Sequence, residues 1–387
     1  MASSMRMGIA LVLALLVIAP TLSISGAQEG TEAPLGCQLS FDGNLANESV
    51  GFQTSLGPRI PGSAASSELR ESIKSNLTGW HITESTHHVN GMVLTNLYAT
   101  WNKGAGSTVM FAAHYDSRSA GDKDWNESRH DEPIDGANDG ASGVAVLIEL
   151  ARHIPSMNLS HEVTLFFTDG EDQGDYNSQA GWILGAKAWG ENLTQEEADS
   201  IESFILVDMI GDSDLTIRKT YPGNSSLWDR TEEKILFLDE VCELGPSNYF
   251  DFERTDGIYD DHVPAHELGI PAIDIIDTRY GENASYLGGH WHTHNDTADK
   301  VSAESLGKIG FILESGLLTG SWSNVRVIDD GEIEEIDFEP ELVEENEELE
   351  ESQDDSQMVI GILLVVCILL VWGNLVWLIF ADNRGEG

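Results

Sequence analysis

Residues 107–117 read STVMFAAHYDS. A short, almost continuous run of apolar and β-forming residues, ending abruptly in His114, Tyr115 and Asp116, is the pattern of a strand covered on both faces. The same grammar recurs on either side. Residues 163–168 (VTLFFT) run into Asp169-Gly170-Glu171-Asp172, residues 204–208 (FILVD) end in Asp208, and further runs stand at 93–101 and 272–276. Helical periodicities at 64–78, 142–154, 181–190, 228–244 and 302–318 lie between them. Strands alternating with helices predict an α/β fold whose sheet is largely parallel and covered on both faces. Such sheets gather their sites at the carboxyl ends of the strands. His114, Asp116, Glu171, Asp172 and Asp208 all fall there.

Outward from this centre the chain changes character. Residues 7–25 are apolar, follow Arg6 and lead to Ser25-Gly26-Ala27; this reads as a secretory signal over 1–27. Residues 28–40 form a short leader, and the folded domain is expected over 41–325. An acidic linker follows over 326–357, without Lys or Arg from Asp329 to Gln357, which predicts an extended, solvated segment. Residues 358–380 carry no charge and are long enough to span a bilayer as one helix, leaving a tail over 381–387. Arg384 is the basic residue nearest this span and favours a cytoplasmic C-terminus. The expectation is a single-pass cell-membrane protein with its folded domain outside the cytoplasm.

The chain holds 20 Lys and Arg against 66 Asp and Glu, a formal charge of −46. Nucleic-acid backbones and anionic lipid surfaces are excluded as partners, since both demand cationic surface. Of three cysteines, Cys367 lies in the apolar span, while Cys37 and Cys242 are free to pair in an oxidising compartment. Eight Asn-x-Ser/Thr triplets, at Asn47, Asn76, Asn126, Asn158, Asn192, Asn224, Asn283 and Asn295, fit a glycosylated exterior.

Six loop segments bring chemistry: FAAHYDS (111–117), GANDGASG (136–143), FFTDGEDQG (166–174), VDMIG (207–211), IYDDHVP (258–264) and HWHTHNDT (290–297). Each has an ordinary reading. Asp139 suits the cap of the helix at 142–154, Glu171 and Asp172 suit a solvated loop, and His114 suits a satisfied core histidine. Gathered at one sheet edge, however, such carboxylates and imidazoles repel and desolvate one another unless a cation joins them. Mixed His and carboxylate ligands suit catalytic zinc, and an unbound carboxylate beside a ligand is placed as a general base.

In that order the six segments resemble metallopeptidase family 28, the superfamily of zinc aminopeptidases and glutaminyl-peptide cyclotransferases, from about 57–63 (GPRIPGS) to the helix near 318. The resemblance implies a three-layer α/β/α sandwich around a mixed, mainly parallel sheet. DGEDQG followed by WILGAKAW (182–189), DDHVP and WHT are similar to the prokaryotic-like cyclase branch. Carried over by position, Asp139, Asp172 and His292 become the ligands of one zinc and Glu171 the proton shuttle. Asp208 and Asp260 become members of a hydrogen-bond network, and Trp291 and Trp182 walls of the substrate pocket. The aminopeptidase branch instead uses two zincs, with His114 and Asp208 on the second and Asp139 bridging. All five ligand positions are present here, so the count stays open between one and two. Asp274 stands where animal cyclases have a His, and Ala113 where they have a Cys.

The reaction implied is conversion of an N-terminal Gln to pyroglutamate with release of ammonia, on peptide or protein N-termini. Hydrolysis of the first peptide bond by the same machinery is the alternative, and an ectodomain that binds without catalysis is a third.

Overall fold

A computed structural model describes residues 34–176 and 179–325. The signal segment, the first residues of the leader, the linker, the apolar span at 358–380 and the tail lie outside the described residues. Among the described residues no helix is long and apolar enough to cross a membrane.

In chain order the main elements are α1 (Gly43–Ser55), α2 (Ala64–Asn76), β1 (His81–Val89), β2 (Met92–Trp101), β3 (Thr108–His114), α3 (Ala141–His153) and β4 (Glu162–Thr168). Then come α4 (Leu184–Asn192), α5 (Gln195–Ser200), β5 (Ile201–Asp208), β6 (Ile217–Tyr221), α6 (Ser225–Glu240), β7 (Phe250–Gly257), α7 (Val263–Glu267), β8 (Ala272–Ile276) and α8 (Ala303–Thr319). Six strands form one sheet in the order β1-β2-β4-β3-β5-β8. The four from β4 to β8 run parallel, while β1 and β2 pair antiparallel at one edge. β6 and β7 form a separate two-stranded ribbon.

All seven residues of β3 are buried, and their alternation divides the core. Val109, Phe111 and Ala113 belong to the core cluster on the side of helices α1, α2, α3, α6 and α8, which also holds Leu69, Val144, Leu147, Ile235 and Leu313. Met110 and Ala112 face the opposite layer, with Trp189 of α4, Ala198 of α5 and Ala265 of α7. A period of two along a strand sends successive side chains to opposite sides, and both sides are apolar here, so the strand is the middle of three layers. At roughly 25 cal/mol per Å² of apolar surface removed from water, this double burial is the dominant favourable term in the fold.

Helix ends follow local chemistry. Ser63 and Ser302 cap α2 and α8 by accepting the backbone N–H groups of Ser66 and Ser305, and Asn224, one of the glycosylation triplets, caps α6 by accepting from Leu227 N. α3 starts differently: its first residue follows Gly140, at φ 94°, and no side chain caps it. A β-carbon at Gly140 would lie 2.6 Å from the carbonyl oxygen of Asp116, so only glycine lets the turn close against β3. Asp139 is therefore released from the capping role that its position suggests.

The helix expected at 181–190 begins instead at Leu184. Trp182 bridges back to Asp172, and the N–H groups of Ile183 and Leu184 donate to the carbonyls of Glu171 and Gly170. Ile183 takes φ 53°, a left-handed conformation costly for a β-branched side chain, and these backbone bonds hold it there. The leader segment is tied to the domain. Cys37 is joined to Cys242, and the Glu314 carboxylate accepts the backbone N–H groups of Ser40 and Phe41.

Candidate metal centre

β3, β4 and β5 end side by side. β3 delivers His114, β5 delivers Asp208, and the turn after β4 delivers Glu171 and Asp172. The turn before α3 brings Asp139 over the same edge, and the 290–297 loop adds His292, itself at φ 54°. All five potential ligands are buried. His292 Nε2 lies 3.0 Å from Asp172 Oδ1 and 3.4 Å from Asp139 Oδ2. His114 Nε2 lies 3.1 Å from Asp139 Oδ1 and 3.2 Å from Asp208 Oδ1. Two triads thus share Asp139, and within each the potential ligand atoms lie within 4.8 Å of one another.

The triads fit a divalent cation. Asp139 Oδ2 and Asp172 Oδ2 are buried without a hydrogen-bond partner among the described residues. An unpaired buried carboxylate oxygen is expensive, and a cation between these two and His292 would remove that expense. Burial alone would raise Asp139, but the neighbouring imidazoles of His114 and His292 hold it well below the usual carboxylate range. Asp172 goes the other way, raised by burial ahead of any partner. A carboxylate held ionised beside a second raised by burial is an environment that a divalent cation would stabilise.

Glu171, 9% exposed, sits beside the triads, with its pKa pushed well above the ordinary value by burial first and by the charge of Asp260 second. Asp260, Asp261 and Asp274 form an acidic bank behind it, all raised by burial and then by one another or nearby carboxylates, Asp261 to about 7. Asp260 accepts the backbone N–H of Asp261 at 2.6 Å. His262, whose Nδ1 lies 3.9 Å from Asp274, behaves differently: burial pushes it down to about 3, and its Nε2 donates to the Pro222 carbonyl.

Trp291 and Trp182 both lie against His292. The Trp291 ring stacks at 3.6 Å between centroids, and the Trp182 ring runs parallel within 6° at 5.9 Å. Trp182 rests on Gly174, where a β-carbon would come within 2.2 Å of the indole. A cleft of 530 Å³ lined by Asp212, Asp214, Gly281, Glu282, His290 and Lys300 opens elsewhere and contains none of the converging side chains.

Several supporting residues have no role assigned from the sequence. Asp116 accepts the N–H groups of both Glu171 and Asp172. Asp296 accepts those of Asn138 and Asp139, and also the Tyr280 hydroxyl. Arg118 donates to Asp172, and Tyr176 meets His292. Asp116 and Asp296 sit inside the quoted motifs, so their position is a signal. Arg118 and Tyr176 carry none, because their partners are remote along the chain.

Set against known proteins, the domain finds consistent relatives. The bovine glutaminyl-peptide cyclotransferase-like protein is 24% identical over 283 residues, covering 66% of this chain and 70% of that one. Among solved structures, a glutaminyl cyclase from Porphyromonas gingivalis is 31% identical with a TM-score of 0.64, covering 72% of this chain and 98% of the other. A Zn-dependent exopeptidase from Parabacteroides distasonis is 27% identical with a TM-score of 0.65, covering 74% and 99%. Residues 96–315 match the description of peptidase family M28. That match runs from within β2 into α8 and takes in both triads, Glu171 and the acidic bank, and by it this chain belongs to peptidase family M28.

Proposed function

We propose that the protein is a zinc-dependent glutaminyl-peptide cyclotransferase that converts N-terminal Gln of peptides or proteins to pyroglutamate. The observation that carries the choice is the unequal state of the two triads. Of the triad carboxylate oxygens, the two without a hydrogen bond, Asp139 Oδ2 and Asp172 Oδ2, belong to the His292 triad, whereas His114 Nε2 lies 3.1 and 3.2 Å from Asp139 Oδ1 and Asp208 Oδ1. This supports one zinc, held by Asp139, Asp172 and His292, with His114 and Asp208 serving as a hydrogen-bond network. Likeness to the Porphyromonas gingivalis cyclase supports the same reading.

Bound there, zinc would act as a Lewis acid on the side-chain amide of the substrate. Glu171 takes a proton from the substrate α-amine as its nitrogen bonds to the amide carbon. It returns that proton to the amide nitrogen as the carbon–nitrogen bond breaks and ammonia leaves. A group that must both take and return a proton works best near the ambient pH, and burial beside Asp260 moves Glu171 upward in that direction. Asp260 tunes that shuttle, while Trp182 and Trp291 hold the His292 ring and wall the substrate position. Both reacting groups belong to one residue, so orientation alone supplies much of the rate.

Aminopeptidase action is the second reading, favoured by the closeness of the His114–Asp139–Asp208 triad, which has a second metal site's composition. One incubation separates them. Full-length protein in detergent, given a Gln-initiated and a Leu-initiated peptide, is expected to release ammonia from the first and leave the second intact. Release of free leucine by mass spectrometry sinks the cyclase reading in favour of the peptidase. No product from either peptide favours a binding ectodomain. The apolar segment at 358–380 would place the enzyme on the outer face of the cell membrane, acting on passing peptides.

A further inference from the structure

Arg118 and Tyr176 do nothing in the chemistry above, yet each grips one of the ligands. Arg118 is 4% exposed, and its guanidinium makes five hydrogen bonds. Nε and Nη2 donate to the two oxygens of Asp122 at 2.9 and 2.5 Å, Nη2 also donates to the Gly174 carbonyl, and Nη1 donates to Asp172 Oδ1 at 3.0 Å and to its carbonyl. The Trp182 ring covers the guanidinium at 4.7 Å. With Oδ1 of Asp172 taken by Arg118, Oδ2 is the oxygen left without a partner.

The histidine side follows by elimination. Asp122, paired with a guanidinium at both oxygens, is a carboxylate and can only accept. Its Oδ1 lies 3.2 Å from the Tyr176 hydroxyl, which therefore donates to it. A phenol has one hydrogen, so the same oxygen, 2.5 Å from His292 Nδ1, can only accept there. His292 must carry its proton on Nδ1. In the neutral ring Nε2, which faces Asp139 and Asp172, then carries the lone pair, the form in which imidazole binds a metal.

We propose that Arg118, Asp122 and Tyr176 are positioning residues that form one clasp, fixing the tautomer and orientation of His292 and the free oxygen of Asp172 so that both are preset to take zinc. The inference rests on the zinc reading above. It assigns the hydroxyl of Tyr176, rather than its ring, the decisive part, although the ring also packs on Trp182 and Trp291.

The test is zinc binding by metal-stripped full-length protein in detergent, measured by competition with a chromophoric chelator. Tyr176→Phe keeps the ring and Asp122→Asn keeps the shape. Each is expected to weaken zinc binding about 10- to 100-fold, and Tyr176→Leu no more than Tyr176→Phe. The visible spectrum of the cobalt-substituted protein shifts in Tyr176→Phe, while the melting temperatures of the metal-free variants match metal-free wild type. Phe and Asn variants that bind zinc as wild type does, with an unchanged cobalt spectrum, overturn the clasp alone. So does weakening confined to Tyr176→Leu, which assigns the ring a packing role only. Wild type that takes up no zinc overturns the clasp and the zinc reading together.

Discussion

The two triads that meet at Asp139 use the same residue types in the same burial, and they differ in what their oxygens already hold. On the His114 side the imidazole Nε2 reaches Asp139 and Asp208 at 3.1 and 3.2 Å. On the His292 side Nε2 reaches Asp172 Oδ1 and Asp139 Oδ2 at 3.0 and 3.4 Å, Asp139 Oδ2 and Asp172 Oδ2 have no hydrogen bond among the described residues, and Arg118 and Tyr176 grip Asp172 and His292. Composition alone does not make a metal site. Under the one-zinc reading, the triad that keeps free carboxylate oxygens while Arg118 and Tyr176 hold its other atoms is the one that takes the ion.

The contrast can be broken most severely at Asp172. Asp172→Asn is expected to abolish turnover and to lower bound zinc by one equivalent, measured by elemental analysis. Retention of full zinc would put the ion elsewhere. Glu171→Gln comes next: turnover should fall about 10²- to 10⁴-fold with zinc content unchanged, the outcome expected of a group that moves protons without holding the ion. Asp208→Asn probes the other triad. Under the one-zinc reading, metal content stays the same and kcat/KM falls roughly 10- to 100-fold, the scale of a lost hydrogen bond to a charged group of about 1.5–3 kcal/mol. Loss of a second equivalent would make the triads alike and favour the aminopeptidase. The smallest effect is expected at Asp296→Asn, up to about tenfold in zinc affinity. The amide keeps one acceptor oxygen for the turn that carries Asp139, and a variant with unchanged affinity would show that this turn needs no such hold.

Much of this was legible in the residue order because the central strands are buried on both faces. VTLFFT, FILVD and AIDII announce themselves by hydrophobicity, and the site residues follow at their ends. β1 is different. Its sequence HITESTHHV has no residue in the buried class, so this edge strand leaves little apolar trace. α1 is similarly quiet, burying Ala46, Val50 and Gln53 along 13 residues of low amphipathic contrast. The start of α4 was displaced because Ile183 forgoes a helical φ for backbone bonds to Gly170 and Glu171, a tertiary demand that no local periodicity encodes. The candidate ligands at strand ends were readable for the same reason that the strands were. Their supports were not, since Arg118 meets Asp172 and Tyr176 meets His292 across 54 and 116 positions of chain.

Gly174 sits directly beneath the Trp182 indole, with no room for even one added carbon. A methyl there, in Gly174→Ala, must lift the indole away from the Arg118 guanidinium and the His292 ring together, although position 174 itself supplies no functional side chain. The loop's emptiest residue therefore acts as the floor on which the aromatic lid is seated, and variation at it would be felt as loss of shielding rather than loss of a group.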